Sequence, residues 1–476
     1  MTISRRGFLT ASASLALTPM FGTRTRAVPV PREADVVVVG AGAAGIAAAR
    51  RIMAANRKVI VIEATGQIGG RCQTDTASFG LPFDRGARWL HNPDTNPMVK
   101  LARSVGLDIA PAPPGQRIRV GRRNARASET EDFLATLVRA NRAIDEASHG
   151  KADVACAAAL PADLGNWAAT VEFVLGPYAS GKDLKDLSAM DQARAQDRSA
   201  LIACRQGVGT LIGKLAEPVP VALSTPATRI VWGGREVSVE TPAGKISARA
   251  VIVTASTNVL SSGAIKFTPE LPKRQVDAVT KLSLGSFDRI ALQLSGDPLG
   301  LSKDEVMIEQ SAGARTAALF ANIGDSSLCM LDVAGGFGRD LSAQGDAAMR
   351  AFAVEWLTKL FGSDIAASVR RSSATRWNAA PFALGAMSAA APGGQPSRKV
   401  LAEPLGSLFL AGEATHETLW GTVHGAWDSG ERTAEAALKR IGALRADVPA
   451  APEGRRRAPR TRPRDQRPSA AERAFD

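Results

Sequence analysis

The sequence predicts an α/β protein of two domains, built around a parallel sheet that starts with a dinucleotide-binding unit. Three observations lead there. Residues 36–39 are four consecutive valines, the pattern of a strand buried on both faces of a parallel sheet. Gly40-Ala41-Gly42-Ala43-Ala44-Gly45 follows at once and opens an alanine-rich stretch to Ala55 that reads as a helix. Residues 58–62 then form a second apolar strand ending at Glu63. Strand, glycine turn, helix and strand in this order make one βαβ unit. At 476 residues the chain exceeds one ordinary core, so two domains are expected.

Each part of that unit has a chemical reason. Gly40 permits the tight turn, Gly42 lets the backbone approach a pyrophosphate, and Gly45 lets helix and strand pack closely. The helix start at Ala43 and Ala44 offers unpaired N–H groups and a positive dipole end to phosphate. Glu63, with Ala64 beside it, is placed to accept from ribose hydroxyls.

Further along, residues 96–204 read as mostly helical, with apolar spacing of three and four around residues 133–144. Short strands with turns return at 229–232 and 251–254, and further strands are expected at 290–294, 317–322 and 328–333. A helix is expected over 346–361, a buried strand over 408–412, and a closing helix over 430–441.

The formal charge of +13 is concentrated at the ends: Arg5, Arg6, Arg24 and Arg26 at the start, and eight arginines between Arg455 and Arg473. The middle is closer to neutral and the basic runs carry no interleaved aromatics, which argues against nucleic acid as a partner. Ser4-Arg5-Arg6-Gly7-Phe8-Leu9-Thr10 ahead of a short, weakly apolar run resembles a twin-arginine export signal. The segment is too short to span a bilayer, so no stable membrane insertion is expected. Residues 1–27 are therefore assigned to the signal, with the export machinery as partner and the periplasm as destination. Residues 447–476, rich in Pro, Ala and Arg, are expected to be disordered. Cys72, Cys156, Cys204 and Cys329 have no spacing typical of a zinc or CxxC site, and no metal is expected.

Gly69-Gly70-Arg71 lies just beyond Glu63, and Phe83-Asp84-Arg85-Gly86-Ala87-Arg88-Trp89-Leu90-His91 follows. Together with Leu410-Ala411-Gly412-Glu413-Ala414-Thr415 and Gly421-Thr422-Val423-His424-Gly425-Ala426, they resemble the flavin-containing amine oxidases: monoamine and polyamine oxidases, histone-lysine demethylases and L-amino-acid oxidases. The resemblance runs from Asp35 to Ile441. It implies a discontinuous FAD domain of the two-dinucleotide-fold (Rossmann-like) kind at 33–95, 205–262 and 398–445. An α+β substrate domain would fill 96–204 and 263–397. It also implies non-covalent FAD, because Ala386 stands where thioether-linked members have cysteine. Gly70, Arg71 and the backbone of Gly86, Ala87, Arg88 and Trp89 inherit flavin contacts, and Ala227 an adenine contact. Gly412, Glu413, Thr422 and Val423 inherit contacts along the ribityl, pyrophosphate and pyrimidine parts.

Two departures bear on mechanism. The family lysine that holds a water at flavin N5 is matched by Arg289, which stays protonated at any working pH. The paired aromatic rings that flank the substrate are matched by Met387 and Thr422, with Trp420 available to replace part of that wall. Arg289, Trp420, Thr422 and Met387 are thus the candidate catalytic residues. The resemblance implies FAD-dependent oxidation of a C–N bond in a small amine or amino acid, with oxygen as acceptor and hydrogen peroxide as product. An L-amino-acid oxidase, a dehydrogenase or desaturase using another acceptor, and a non-catalytic flavoprotein stand as alternatives. A homodimer stays open.

Overall fold

The computed structural model describes residues 28–112 and 116–444; the twin-arginine segment and the basic C-terminal run lie outside the described residues. Two sheets organise the chain. The first has eight strands, with β1 (Glu33–Val39) parallel to β2 (Val59–Ile62) on one side and to Gly244–Val253 on the other. Leu408–Leu410 adds in parallel along the second half of Gly244–Val253, while Val237–Thr241 pairs antiparallel with its first half. The four valines of β1 are 7% exposed or less, because helices cover one face and loops and short helices the other. Full burial of each contributes roughly 1.5–3 kcal/mol.

The register brings four strand ends to one rim. Val39 lies opposite Ile62 and Val253, and Val253 opposite Leu410. Gly40, Glu63, Thr254 and Ala411 therefore leave the sheet side by side, at the carboxyl ends where open α/β sheets bind ligands. Above β1 runs α1 (Ala43–Ala54), against which Val423–Arg440 packs closely. A Cβ on Gly430 would lie 2.1 Å from the Ala44 carbonyl oxygen, so glycine permits that approach.

The second sheet runs Val369–Ala374, Phe287–Leu294, Leu328–Ala334, Ala318–Ala321, Glu305–Glu309, Arg117–Val120 and Arg123–Asn124. One face, through Ile290, Leu292, Leu331 and Val333, packs on helices Gly335–Ala343 and Asp346–Phe361. Alternation turns Phe287, Arg289 and Ala291 to the other face, and Arg289 bonds there to Asp84 and Gly86 of the first domain.

The α/β class and the nucleotide-binding first sheet are as the sequence indicates. Residues 96–204 contain Ala127–Ser148 and shorter helices, but also strands at Ile109–Pro111, Arg117–Val120, Arg123–Asn124 and Leu201–Cys204. Those strands are two to four residues long, too short to carry a period of their own. The closing helix starts at Val423 rather than near 430, because the Thr422 hydroxyl accepts the Gly425 N–H and caps it.

Candidate active site

The nucleotide end is built from backbone. Gly40 sits at φ +104°, where an L side chain is strained, and a Cβ there would be 2.5 Å from Thr254 Oγ1. A Cβ on Gly45 would meet the Gly40 carbonyl oxygen at 1.9 Å. No side chain caps α1 and no acid lies in its first turn, so Ala43 and Ala44 present free N–H donors and an uncompensated positive dipole end. Glu63, 6% exposed, accepts from the Ala41 N–H (2.7 Å) through Oε2, and from the N–H and hydroxyl of Thr65 through Oε1. One lone pair of Oε2 is left for a ribose hydroxyl. The Thr225 N–H bonds the Glu63 carbonyl at 2.7 Å, which brings the turn holding Ala227 to the same rim, alongside Ala64. An uncapped helix start, an acid with a spare acceptor and a glycine turn are a donor set that fits a dinucleotide.

From this rim the cradle continues through Gly70 and Arg71. The Arg71 carbonyl accepts the Ala87 N–H at 3.0 Å, and a Cβ on Gly86 would lie 1.9 Å from that carbonyl oxygen. Arg71 Nη1 donates to the Ala386 carbonyl (2.7 Å) and to Glu413 Oε1 (2.9 Å). Glu413 also accepts from Ser388 N, Ser388 Oγ (2.6 Å) and Gly421 N (2.8 Å). Four donors fill its carboxylate. The side chain expected to contact the cofactor is therefore a brace that fixes Arg71 and joins residues 386–388 to Gly421. Burial alone would raise the Glu413 pKa. Arg71, Ser388, Arg398 and Gly421 more than offset this and hold it below the usual carboxylate range. Next to it, a Cβ on Gly412 would meet nothing within 4 Å, which leaves that turn open. Val423 heads the helix that follows.

The expected catalytic positions fall in different settings. Met387 packs against Gly421, 3.5 Å from where a Cβ would be, so the stretches holding Met387 and Thr422 do meet. Thr422 is only 6% exposed and its hydroxyl is committed: it donates to the Leu419 carbonyl (2.6 Å) and caps the last helix. Trp420 is 2% exposed, with the Arg198 and Arg398 guanidiniums 4.6 and 4.7 Å from its ring centroid. Such a ring has no open face for a substrate. Arg398 in turn is clamped bidentately by Asp191, both contacts 2.7 Å.

Arg289 is buried and held from three directions. Its Nε lies 3.0 Å from Asp332 Oδ1, and its Nη1 donates to the carbonyls of Asp84 (2.6 Å) and Gly86. It thus grips the segment Gly86, Ala87, Arg88, Trp89 from the second sheet. Asp288, its chain neighbour, points away to the Trp377 N–H (2.8 Å) and the Thr375 hydroxyl.

Around this pair lie residues that the sequence did not single out as site residues. Tyr178, on a π-helical turn, stacks on Phe173 (5.7 Å between centroids) and lies 6.1 Å from Phe287. Phe320 meets Trp89 edge-on at 6.0 Å. Asp332 carried a signal: it is the one charge in Leu328–Ala334, and a lone acid in a buried strand needs a partner. Two of the histidines are held by the backbone. His416 Nδ1 accepts from Thr418 N and Leu419 N, and His91 Nδ1 lies 3.3 Å from the Arg198 carbonyl. All four cysteines are buried free thiols, with Cys72 pushed up to about 12 by burial. No metal-ligand cluster occurs among the described residues.

The family model described as flavin containing amine oxidoreductase matches residues 43–131 and 162–438. A human lysine-specific histone demethylase 2 is 28% identical over 446 residues, covering 84% of this chain but 53% of the demethylase. The chain thus spans about half the length of that relative. A probable polyamine oxidase 4 of Arabidopsis thaliana is 27% identical, with 83% of this chain and 85% of that one covered. Among solved structures, cyclohexylamine oxidase from Brevibacterium oxydans superposes with a TM-score of 0.72 at 19% identity, over 86% of this chain and 99% of that one. Wild-type putrescine oxidase bound to putrescine gives 0.72 at 18% identity, with the same coverage.

Proposed function

The chain belongs to the flavin containing amine oxidoreductase family, and from that premise we propose that it oxidises the C–N bond of a small amine with FAD held non-covalently. The observation that carries this reading is the meeting of Arg289 with the Gly86 carbonyl, which joins the substrate sheet to the cofactor cradle. FAD, when bound, would supply the two-electron acceptor for the hydride leaving the substrate α-carbon, with oxygen and a proton turning those electrons over to hydrogen peroxide. The amine loses its N–H proton to water, and hydrolysis of the resulting imine releases ammonia or an amine with an aldehyde or ketone.

The chain's own residues position and exclude. The α1 start, Glu63 and Arg71 hold the cofactor's polar parts, while Glu413 fixes Arg71. Arg289 fixes the segment at residues 86–89, and its permanent charge rules it out as a base. Tyr178, Phe173 and Phe287, and Trp89 with Phe320, form two aromatic groups near Arg289 whose apolar faces would help to exclude water from a bound donor. No side chain in this set is suited to take the amine proton, so the amine must arrive neutral.

Anaerobic mixing with a panel of amines, polyamines and amino acids tests the reading through the visible flavin absorption. Bleaching by an amine donor is expected, followed by recovery in air with peroxide formed. Bleaching without recovery in air would assign a different acceptor, and no bleaching by any donor would remove the oxidase reading. The Arg5-Arg6 pair further supports export through the twin-arginine route to the periplasm, which cell fractionation of wild type against an Arg5→Lys, Arg6→Lys variant tests.

A further inference from the structure

Tyr178 is the single tyrosine of the chain, and it ends a π-helical turn, Val174–Tyr178, with Pro177 inside it. Such turns are rare and recur at functional sites. This one is fixed to the head of the second sheet. The Ser286 N–H donates to the Gly181 carbonyl (2.8 Å), and the Gly335 N–H to the Ser286 carbonyl (3.0 Å). Two glycines permit the approach: a Cβ on Gly285 would lie 2.5 Å from the Gly181 carbonyl, and one on Gly335 2.8 Å from the Pro177 ring. The Tyr178 ring is thereby laid between Phe173 and Phe287.

Phe287 lies two residues before Arg289, and Arg289 stands opposite Asp332, so these three side chains share one face of the sheet. The Arg289 guanidinium carbon is 5.9 Å from the Phe287 ring centroid. Tyr178 thus comes to the face from which Arg289 reaches the Gly86 carbonyl. Its ring is held on two sides. Its hydroxyl, however, makes no hydrogen bond among the described residues, and the side chain stays partly open. A largely enclosed phenol normally finds a partner for its oxygen. Burial, and then the charge of Asp332, push this phenol up to about 12, so it keeps its proton at any working pH. The carboxylate draws the O–H hydrogen to its own side, while Arg289 and Arg88 act from the other and keep the oxygen lone pairs turned that way. The same two cations repel an ammonium, which favours an amine that arrives neutral.

Amine oxidation makes a demand on that nitrogen. The C–N bond becomes C=N only if the nitrogen lone pair is free as the α-hydride leaves. A group that donates to the lone pair blocks the step, whereas one that accepts an N–H holds the nitrogen and leaves the lone pair free. We propose that the Tyr178 hydroxyl oxygen accepts an N–H of the donor amine and so sets the direction of its lone pair, which makes primary and secondary amines better donors than tertiary ones. This rests on the amine-oxidation reading for its turnover arm, but the contact itself is testable without turnover.

Because the chain has one tyrosine, holoenzyme produced with meta-fluorotyrosine carries a single fluorine NMR resonance. It is titrated with cumylamine, which has N–H groups but no α-hydrogen to lose, and with N,N-dimethylcumylamine, which has neither. Cumylamine should move the resonance saturably, and the tertiary amine should move it less. For turnover, Tyr178→Phe keeps the ring stack and removes the oxygen alone; flavin content and circular dichroism check that both proteins are folded. The ratio of kcat/KM for the best primary amine over its N,N-dimethyl form should fall about 3- to 10-fold in the variant, the range for one neutral hydrogen bond. An unmoved fluorine resonance, or equal shifts with the two cumylamines, overturns the proposal. An unchanged kcat/KM ratio also overturns it while leaving amine oxidation standing. A fluorine shift that needs the N–H, in a protein that oxidises no donor, would support the contact and sink the oxidase reading instead.

Discussion

Nε of Arg289 lies 3.0 Å from Oδ1 of Asp332, across a directly opposed pair in adjacent antiparallel strands, with both side chains largely buried. The pair joins the second sheet to the segment ahead of Trp89, through the Asp84 and Gly86 carbonyls. Asp332→Asn leaves the Arg289 charge without its counter-ion. A loss of about 3 kcal/mol in unfolding free energy is expected, read from the urea midpoint at unchanged slope. A midpoint within error of wild type would show that the carbonyls alone suffice.

Glu413 gives a pH signature. Its folded pKa lies below the ordinary value of 4.5, so its contribution to stability is complete above that value and lost as pH falls through the folded pKa. Wild type should therefore lose stability between pH 6 and acid more steeply than Glu413→Gln. Parallel pH dependence in the two proteins would contradict the brace.

Trp420→Phe separates packing from substrate contact. Two guanidiniums over a ring that is 2% exposed predict a stability loss on the order of 1–2 kcal/mol from weakened cation–π contact. The KM for any donor should stay within about twofold, and a larger change would return Trp420 to the substrate wall.

Gly86→Ala should purify with little flavin. The new Cβ would be placed 1.9 Å from the Arg71 carbonyl oxygen and 3.1 Å from the Trp377 ring, and backbone cannot yield as a flexible side chain does. The ratio of visible to ultraviolet absorbance after purification decides it, and full occupancy would refute the argument.

The pH profile of turnover should carry no limb from His91. Burial pushes His91 down to about 4, so it stays neutral from pH 6 upward, and burial lowers His424 as well. kcat/KM should rise with pH and track the amine pKa when donors of different basicity are compared. A rising limb near pH 6.5 that ignores the donor would expose a titrating group in the protein.

The sequence by itself determined the α/β class and the position of the strand, glycine turn, helix and strand that open the first sheet. These rest on local rules: a four-valine strand, a glycine turn in which a Cβ on Gly45 would strike the Gly40 carbonyl at 1.9 Å, and an acid ending the next strand. Helix Asp346–Phe361 was legible for the same reason, since its apolar run is bounded by Gly345 and Gly362. The surroundings of the candidate catalytic residues were not legible. Trp420 looked available because sequence does not reveal that Arg198 and Arg398, 222 and 22 residues away, cover it. Thr422 looked like a substrate position, yet its hydroxyl closes a helix end. Only the tertiary structure decided that Glu413 is filled by four donors and that Arg289 is spent on Asp332 and two carbonyls. Those outcomes depend on which donors and acceptors arrive from distant segments, and a buried polar group is assigned by its partners rather than by its own identity.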